Sequence, residues 1–397
     1  MQIGEVASFQ NGYAFKSKDF VQDGKYKIIK IKELKDGKVR FFNDSASVNV
    51  DDERIIEKYI VEKGDVLFAL TGDPVNKNNP LSWVGRVSIY EDDQLAVLNQ
   101  RVCKLVPKEG LNAKYIYYYF RAFNNFYALA SIAKGSASQA NISTKDIEAM
   151  EIALPSLNIQ NKIVLVLDSI EEKINQNNKI NKNLEQQAQA IFANEFLSLE
   201  TLPEGWKQAS LIDIADYLNG LAMQKYRPTA DESGIPVLKI KELRQGCCDD
   251  NSELCSPNIK SNYIIHDGDV IFSWSGSLLV DLWCGGICGL NQHLFKVTSS
   301  KYDKWFYYAW TKHHLDRFVA VAADKATTMG HIKRDELAKA EVLIPNETDY
   351  NRIGSLLQPI YEMIISNRIE NKKLAATRDT LLPKLMNGEL DVSDIDL

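Results

Sequence analysis

The chain has 397 residues, of which 45% are hydrophobic, enough for two or three domains with well-packed cores. No apolar run approaches the roughly 18 residues needed to cross a bilayer, and no basic and apolar leader follows Met1, so we expect a soluble, cytoplasmic protein. The net charge of −6 argues against tight, nonspecific DNA binding by this chain alone, although a local basic patch can still contact phosphates.

The six cysteines show no framework spacing, which favours free thiols over disulfides. A zinc site is the alternative for one group of side chains, but their spacing lacks the usual CxxC pairs, so we predict no metal site. That group is Cys255, His266, Cys284 and Cys288.

The sequence contains the same ordered set of short segments twice. The paired segments are Asn11-Gly12 and Asn219-Gly220, Ile29–Leu34 and Leu238–Leu243, Gly64–Phe68 and Gly268–Phe272, Leu98–Arg101 and Leu290–His293, Tyr115–Tyr118 and Trp305–Tyr308, and Leu154-Pro155 and Ile344-Pro345. The loops between them differ in length, most of all after Gly72 and Gly276. Because loops on a shared scaffold carry recognition, we expect two domains of one fold that recognise different things.

Each copy begins as a mixed α/β domain. Turn clusters of Gly, Asp and Asn separate strand-like runs, and an aromatic-rich helix follows. The predicted strands are Tyr26–Leu34, Val66–Leu70, Ala96–Val106, Pro236–Leu243, Val270–Trp274 and Gln292–Val297, and the predicted helices are Lys114–Asn124 and Asp303–Phe318. Pro155 and Pro345 close the two domains, because proline cannot continue a strand interior.

After each proline the pattern changes to a long helix with 4,3,4,3 spacing, which indicates a coiled coil. The positions are Ile163, Leu167, Ile170, Ile174, Asn177, Asn181, Leu184, Ala188 and Ile191, and then Ile353, Leu357, Ile360, Ile364, Asn367, Asn371, Leu374, Arg378 and Leu381. Two unrelated surface helices are the alternative, which the equal register disfavours. Connectivity makes the pair antiparallel, and we expect Asn177 to approach Asn367 and fix the register at some cost in stability.

Such helices, at 1.5 Å per residue, span roughly 45 to 55 Å. That is at least one turn of B-DNA, which is about 34 Å. The coil therefore suits a spacer between two DNA-reading domains.

Four motifs resemble the specificity subunits of type I restriction-modification systems, and the resemblance covers nearly the whole chain. They are Leu202–Trp206 with Asp213–Ala215, the stretch Gly135–Ser143, its counterpart Ala326–Arg334, and the ending Leu381–Leu390. The first copy lacks the Leu-Pro-x-Gly-Trp opening. Either other residues complete that edge, such as the tail after Leu390, or the natural start lies upstream.

The resemblance implies an α+β fold with two target-recognition domains joined by a long antiparallel two-helix coiled coil in a pseudo-twofold arrangement. Its segments are residues 1–156 (first domain), 157–197 (first helix), 202–346 (second domain) and 347–390 (second helix and tail). It also implies a non-catalytic subunit that reads a bipartite, asymmetric site in double-stranded DNA. The partners would be two modification subunits, which bind S-adenosylmethionine, and restriction subunits that use ATP and magnesium; this chain would bind no cofactor.

Polar and basic side chains in the loops are the candidates for DNA contacts, because base edges and phosphates are read by such groups. The strongest candidates are Lys134, Ser136, Ser138, Gln139 and Asn141 in the first copy, and Lys325, Thr327, Thr328, His331, Lys333 and Arg334 in the second. The loops after the Asn-Gly pairs add Lys16, Lys18, Gln224, Lys225, Tyr226 and Arg227. The competing interpretations are a turn entering a helix, with Ser138 or Ser143 as N-cap, and ordinary solvated loops.

The sequence does not decide the role of two further repeated features. Lys32-Glu33 and Lys241-Glu242 are either a phosphate clamp or part of the shared fold, and the same holds for Asn99–Arg101 and Asn291–His293. The aromatic segments favour a core role over base stacking.

The sequence contains no nucleotide-binding or methyltransferase fingerprint, so we predict no enzyme activity of its own. Two alternatives stay open. One is a coiled-coil scaffold with two protein-binding domains; the other is the specificity domain of a modification-only methyltransferase system.

Overall fold

The computed structural model describes residues 1–77, 79–136, 138–324, 332 and 334–395. The chain forms two compact units: unit 1 is Met1–Glu171 with Ala376–Leu397, and unit 2 is Glu172–Ala375. Each unit contains one copy of the repeat and parts of both long helices. The boundaries drawn from sequence instead treated the helices as segments separate from the two domains.

The strands of unit 1 form three sheets among the described residues. The first sheet has the order Ala7–Asn11, Val102–Pro107, Val66–Ala69, Val87–Ile89, Lys38–Val39 and Leu34–Lys35; the second has the order Phe20–Val21, Ser47–Val48, Tyr26–Ile29, Ala96–Leu98 and Ile60–Val61; the third has the order Lys134–Ser136, Gln139–Asn141 and Thr71–Gly72. Every residue of Val66–Ala69 is buried, as expected of an apolar run in the centre of a sheet.

The helices of unit 1 pack against both larger sheets, with Glu53–Tyr59 against the second and Ala113–Arg121 against the first. They are Ile3–Val6, Glu53–Tyr59, Ala113–Arg121, Phe123–Ser131 and Thr144–Glu148, with 3-10 turns at Ser17–Asp19, Ile31–Glu33 and Pro80–Ser82. Tyr115 and Phe120 are 1% exposed and pack with Phe68 in one cluster. The aromatic segment is therefore core, as predicted.

Unit 2 repeats this plan. Its strands form three sheets among the described residues. The first pairs Lys207–Ser210 with Glu341–Ile344. The second has the order Asp216–Asn219, Leu294–Thr298, Val270–Ser273 and Leu279–Leu282, and the third has the order Leu254–Cys255, Ile235–Leu238, Cys288–Leu290 and Ile264–Ile265. Its helices are Leu211–Ile214, Ile240–Gln245, Lys304–His313, Leu315–Asp324 and Arg334–Ala338, with 3-10 turns at Met223–Lys225 and Ser261–Tyr263. A parallel strand pair recurs in both units, joining Val97 to Ile28 and Gly289 to Val237.

The prediction of a strand through the Lys-Ile-Lys-Glu-Leu segments was wrong in its second half. Each segment turns from strand to helix, at Ile31–Glu33 in unit 1 and at Ile240–Gln245 in unit 2. The glutamate causes the turn, because its carboxylate accepts the backbone N–H three residues earlier, at 3.1 Å for Glu33 and 3.2 Å for Glu242.

The two long helices begin two residues after the closing prolines. They are Leu157–Phe192, continued by a π turn at Ala193–Leu197, and Glu347–Met386. All eighteen predicted heptad positions are buried or half-buried. The helices pair antiparallel in unit 2, since Asn177 binds Asn371 whereas Asn181, later in the first helix, binds Asn367, earlier in the second. In unit 1, Glu171 binds Arg378. The predicted coiled-coil pattern and its direction are thus confirmed.

The predicted approach of Asn177 to Asn367 was wrong by one helical turn. Asn177 donates to Asn371 Oδ1 at 2.9 Å, and Asn367 donates to Asn181 Oδ1 at 2.8 Å. In an antiparallel pair the first asparagine of one helix faces the second asparagine of the other, which gives two crossed pairs.

The tail after Leu390 packs into unit 1. Val392 is 3% exposed in the cluster that contains Ile163 and Leu385, and Lys162 Nζ donates to the Ser393 carbonyl at 2.7 Å. At the predicted open edge, Ile3 N–H donates to Met150 O at 2.9 Å, as Leu211 N–H does to Ala340 O at 3.1 Å in unit 2. The tail therefore contributes to the core of unit 1 rather than to its edge strand.

Candidate nucleic-acid interface

A sharp turn at Asn99–Arg101, and its counterpart at Asn291–His293, lies at the centre of each candidate site. A Cβ atom on Gly12 would lie 2.2 Å from the Asn99 carbonyl oxygen, and one on Gly220 would lie 2.2 Å from that of Asn291. The Asn-Gly pairs recur because only glycine permits this close approach of two backbones.

The strongest candidates of unit 1 lie on a β-hairpin. Lys134–Ser136 pairs antiparallel with Gln139–Asn141, and Ala140 of the second strand pairs with Gly72. The side chains of Lys134, Ser136, Ser138 and Gln139 are exposed. Asn141 is half-buried and accepts a hydrogen bond from Thr71 Oγ1 at 2.7 Å, so it fastens the hairpin to the framework.

The helix cap is separate from this hairpin. Ser143 caps helix Thr144–Glu148, and its hydroxyl and backbone N–H donate to Asp146 at 2.6 and 2.8 Å. These bonds, with a smaller contribution from the charge of Lys134, lower the pKa of the Asp146 carboxyl. The competing interpretation thus holds for Ser143, while Ser136 and Ser138 lie on the hairpin.

Most of the matching candidates in unit 2 lie outside the described residues: Lys325, Thr327, Thr328, His331 and Lys333. The described neighbours show a shared attachment point. Ile332 N–H donates to Trp274 O at 3.0 Å, as Ile142 N–H donates to Leu70 O at 3.0 Å in unit 1. Arg334 Nη2 donates to the Tyr217 carbonyl at 3.0 Å, which directs this guanidinium toward the framework.

The loops after the Asn-Gly pairs expose their predicted side chains. Lys16 and Lys18 lie at the 3-10 turn Ser17–Asp19. Gln224, Lys225, Tyr226 and Arg227 lie at and after the turn Met223–Lys225. Arg227 forms an ion pair with Glu253 at 2.8 Å, and Lys239 contacts the same carboxylate. Glu253 therefore neutralises part of the positive charge of this loop.

The backbone joins the two candidate regions of unit 1 through the turn at Asn99–Arg101. Gln100 N–H donates to the Tyr13 carbonyl at 3.0 Å, at the start of the Lys16 loop. Leu70 N–H donates to the Arg101 carbonyl at 2.9 Å, and Leu70 precedes the strand that carries the hairpin. Unit 2 repeats the first connection, from Gln292 N–H to the Leu221 carbonyl at 2.8 Å.

Sequence reasoning left Gln100 and Arg101 undecided, although both are exposed at this junction. The sequence feature that could have identified this position is the segment Leu-Asn-Gln, which occurs in both copies and is followed by Arg101 in the first and His293 in the second. The two copies therefore share a fixed backbone frame and differ at one polar residue within it.

The Lys-Glu repeats belong to the fold. Glu33 is fully buried and accepts from Ser45 Oγ at 2.8 Å, while Glu242 is 4% exposed and accepts from Ser252 Oγ at 3.2 Å. A buried carboxylate repels phosphate, so these motifs are not phosphate clamps. The Gly-Asp-Val repeat is likewise structural, because its aspartates form matching ion pairs: Lys104–Asp65 at 3.0 Å and Lys296–Asp269 at 2.8 Å.

The described part of the chain contains no group of three or more His, Cys, Asp or Glu residues placed to hold a metal ion. Among the described helices, none is long and apolar enough to cross a membrane.

Comparison with known proteins agrees with the repeat. Residues 1–186 and 203–376 match the family described as type I restriction modification DNA specificity domain. The chain is 27% identical over 337 residues to the type I restriction enzyme MjaIX specificity subunit of Methanocaldococcus jannaschii, covering 79% of this chain and 76% of that one. It is 19% identical to the HindI specificity subunit of Haemophilus influenzae, covering 86% and 90%.

The fold is similar to that of the type I restriction-modification S subunit from M. genitalium. The TM-score is 0.60 at 15% identity, and the similarity covers 99% of this chain and 96% of that chain.

Proposed function

Since the chain belongs to the type I restriction-modification DNA specificity family, we propose that it is the non-catalytic DNA-reading subunit of such a complex. Unit 1 reads one half of a bipartite, asymmetric sequence, and unit 2 reads the other half. The observation that carries this proposal is the exposed hairpin of Lys134, Ser136, Ser138 and Gln139, fastened at its base by Asn141 and Thr71.

The hairpin supplies the right chemistry for a major groove. A two-stranded ribbon fits that groove, the amide of Gln139 can bind adenine in a bidentate manner, and hydroxyls accept or donate to any base. Lys134 and the Lys16 loop supply positive charge for phosphates, which set the orientation rather than the sequence read. A rigid base to the hairpin favours binding, because a mobile loop and its side chains must be ordered at a cost in free energy when they bind.

The paired long helices would set the number of unread base pairs between the two half-sites. They would also dock two modification subunits, which bind S-adenosylmethionine and methylate adenine in the cytoplasm. Restriction subunits that use ATP and magnesium would complete the complex. Buried asparagine pairs support a fixed helix register, which a spacer of defined length needs.

The test is to sequence methylated bases in cells that carry this chain with its modification subunit. We expect one bipartite methylated motif. Replacing Ser136, Ser138 and Gln139 with Ala should alter or abolish one half and leave the other half unchanged. Methylation without such a motif, or none at all, contradicts the proposal and favours a scaffold.

The matched control is the corresponding change in the second copy, Thr327, Thr328 and His331 to Ala. It should affect the opposite half of the same motif. Equal changes in both halves from either variant would contradict the assignment of one half-site to each unit.

A further inference from the structure

Arg101 is exposed at the junction of the two candidate DNA-binding regions of unit 1. Its carbonyl accepts from Leu70 N–H at 2.9 Å, and the preceding Gln100 N–H donates to Tyr13 O at 3.0 Å. The backbone that carries this side chain is therefore held on both sides. Only the side chain itself is free to adopt the geometry of a ligand.

The Arg101 guanidinium has neither an ion pair nor a hydrogen-bond partner within the described chain. Two other arginines of unit 1 have partners: Arg121 donates to Tyr117 Oη at 2.9 Å, and Arg378 donates to Glu171 at 2.8 Å. An arginine on a rigid turn with all five donors free is suited to bidentate binding of an acceptor pair.

The equivalent residue of unit 2, His293, has different surroundings. Its Nδ1 lies 3.3 Å from Ser275 Oγ, and its Nε2 lies 3.3 Å from Gln292 Nε2. The equivalent positions of the two units thus present an unpaired guanidinium in unit 1 and an imidazole held by two side-chain contacts in unit 2.

We propose that Arg101 reads a guanine in the half-site of unit 1, by donating to its O6 and N7 atoms in the major groove. This inference rests on the proposed function. Arginine is the usual partner of those two acceptors, and lysine or a phosphate contact would not need a turn held so rigidly. Arg101 is then a specificity-determining residue in addition to the hairpin.

The experiment compares Arg101→Ala, Arg101→Gln and Arg101→Lys in the complex with the modification subunit. The readouts are the methylated motif in cells and the binding of duplexes in which each first-half G·C pair is replaced in turn. In the Arg101→Ala variant, discrimination at one G·C position should fall about 10- to 100-fold. In the Arg101→Gln variant, preference at that position should shift toward adenine.

Arg101→Lys separates base reading from phosphate binding. A phosphate contact would weaken binding equally for all sequences, and lysine would restore it. A base contact would leave discrimination reduced with lysine, because a single ammonium does not reproduce the bidentate pair. Uniform weakening restored by lysine would overturn the proposal.

The control is Arg54→Ala, because Arg54 is an exposed arginine of unit 1 paired with its own helix cap, Asp52. It should leave the motif unchanged. If the wild-type complex yields a bipartite motif but all three Arg101 variants retain it, or if the first half contains no G·C pair, this inference alone fails. If the wild-type complex yields no motif, the proposed function fails first.

Discussion

Gly12 shows how strongly one residue constrains the candidate site. A Cβ atom there would lie 2.2 Å from the Asn99 carbonyl oxygen, so the turn that carries Arg101 would have to move. We expect Gly12→Ala to reduce the free energy of unfolding by about 3 kcal/mol and to impair reading of the first half-site. Urea unfolding measures the first effect, and methylated-motif sequencing measures the second.

Gly110→Ala is the matched control for this substitution. Gly110 has a φ of +86° but nothing within 4 Å of an added Cβ, so alanine meets only backbone strain of about 1 kcal/mol. The half-site should be read as before. A Gly12→Ala protein no less stable than Gly110→Ala would show that the close approach is not required.

His314 of unit 2 makes stability depend on pH. Burial lowers its pKa from 6.5 to about 4, and its Nε2 donates to the Glu341 carbonyl at 2.8 Å. The unfolded chain binds the proton more readily, so this stability is fully present above about pH 6.5 and is lost as the pH falls toward 4. The loss is at most about 3 kcal/mol.

Urea unfolding at pH 7 and pH 5 measures this effect. His314→Gln should flatten the pH dependence of the free energy of unfolding, while the same change at the exposed His266 should leave it in place. An equally steep dependence in His314→Gln would assign the effect to other groups.

At the scale of elements, periodicity predicted the long helices well and the capped turns badly. The heptads and the closing prolines located Leu157–Phe192 and Glu347–Met386, because a long repeat averages over many residues. The Lys-Ile-Lys-Glu-Leu segments alternate like a strand, yet a single glutamate bond turns them into helix. Such a local bond leaves no periodic signal.

The asparagine pairs give a prediction for the paired helices. Replacing both Asn181 and Asn367 with Leu should raise the free energy of unfolding by about 1 to 2 kcal/mol. The double change removes both members of a buried polar pair, so neither is left without its partner, and it adds apolar contacts between the helices. Replacing Asn177 and Asn367 should instead lower it, because Asn181 and Asn371 each lose a partner. Thermal and urea unfolding measure both.

Asn367→Leu alone is the control for these double variants. It leaves Asn181 Oδ1 without its donor, and we expect a loss of about 1 to 3 kcal/mol in the free energy of unfolding. If the two double variants have equal stability, the crossed pairing of asparagines is not what fixes the register.

At the scale of the molecule, the repeat predicted most of the fold, because equivalent backbone hydrogen bonds recur in the two units. One such pair joins Ile142 N–H to the Leu70 carbonyl and Ile332 N–H to the Trp274 carbonyl. It predicted less of the site. The hairpin side chains and Arg101 are candidates because the fold exposes them, and solvent exposure cannot be determined from a single sequence. The repeat predicted the shared framework, while the differences between the two copies indicated where we propose that DNA is contacted.

The net charge of −6 gives a prediction for the assembly. Affinity for DNA falls with salt in proportion to the number of phosphates neutralised, with a slope of about −0.9 per phosphate. An acidic chain, whose carboxylates outnumber its lysines and arginines, should neutralise few phosphates, so its own slope should be shallow. The modification subunits should make the slope steeper and the binding tighter.

Fluorescence anisotropy of a labelled duplex, titrated from low to high salt, measures both slopes. Lys16→Ala with Lys18→Ala should lower the slope in the complex, because each lysine that no longer neutralises a phosphate releases one counterion fewer, while the recognised motif stays the same. Equal slopes with and without modification subunits would mean that this chain supplies the phosphate contacts itself. Its basic side chains would then have to be concentrated at the surface that contacts DNA, despite the net charge of −6.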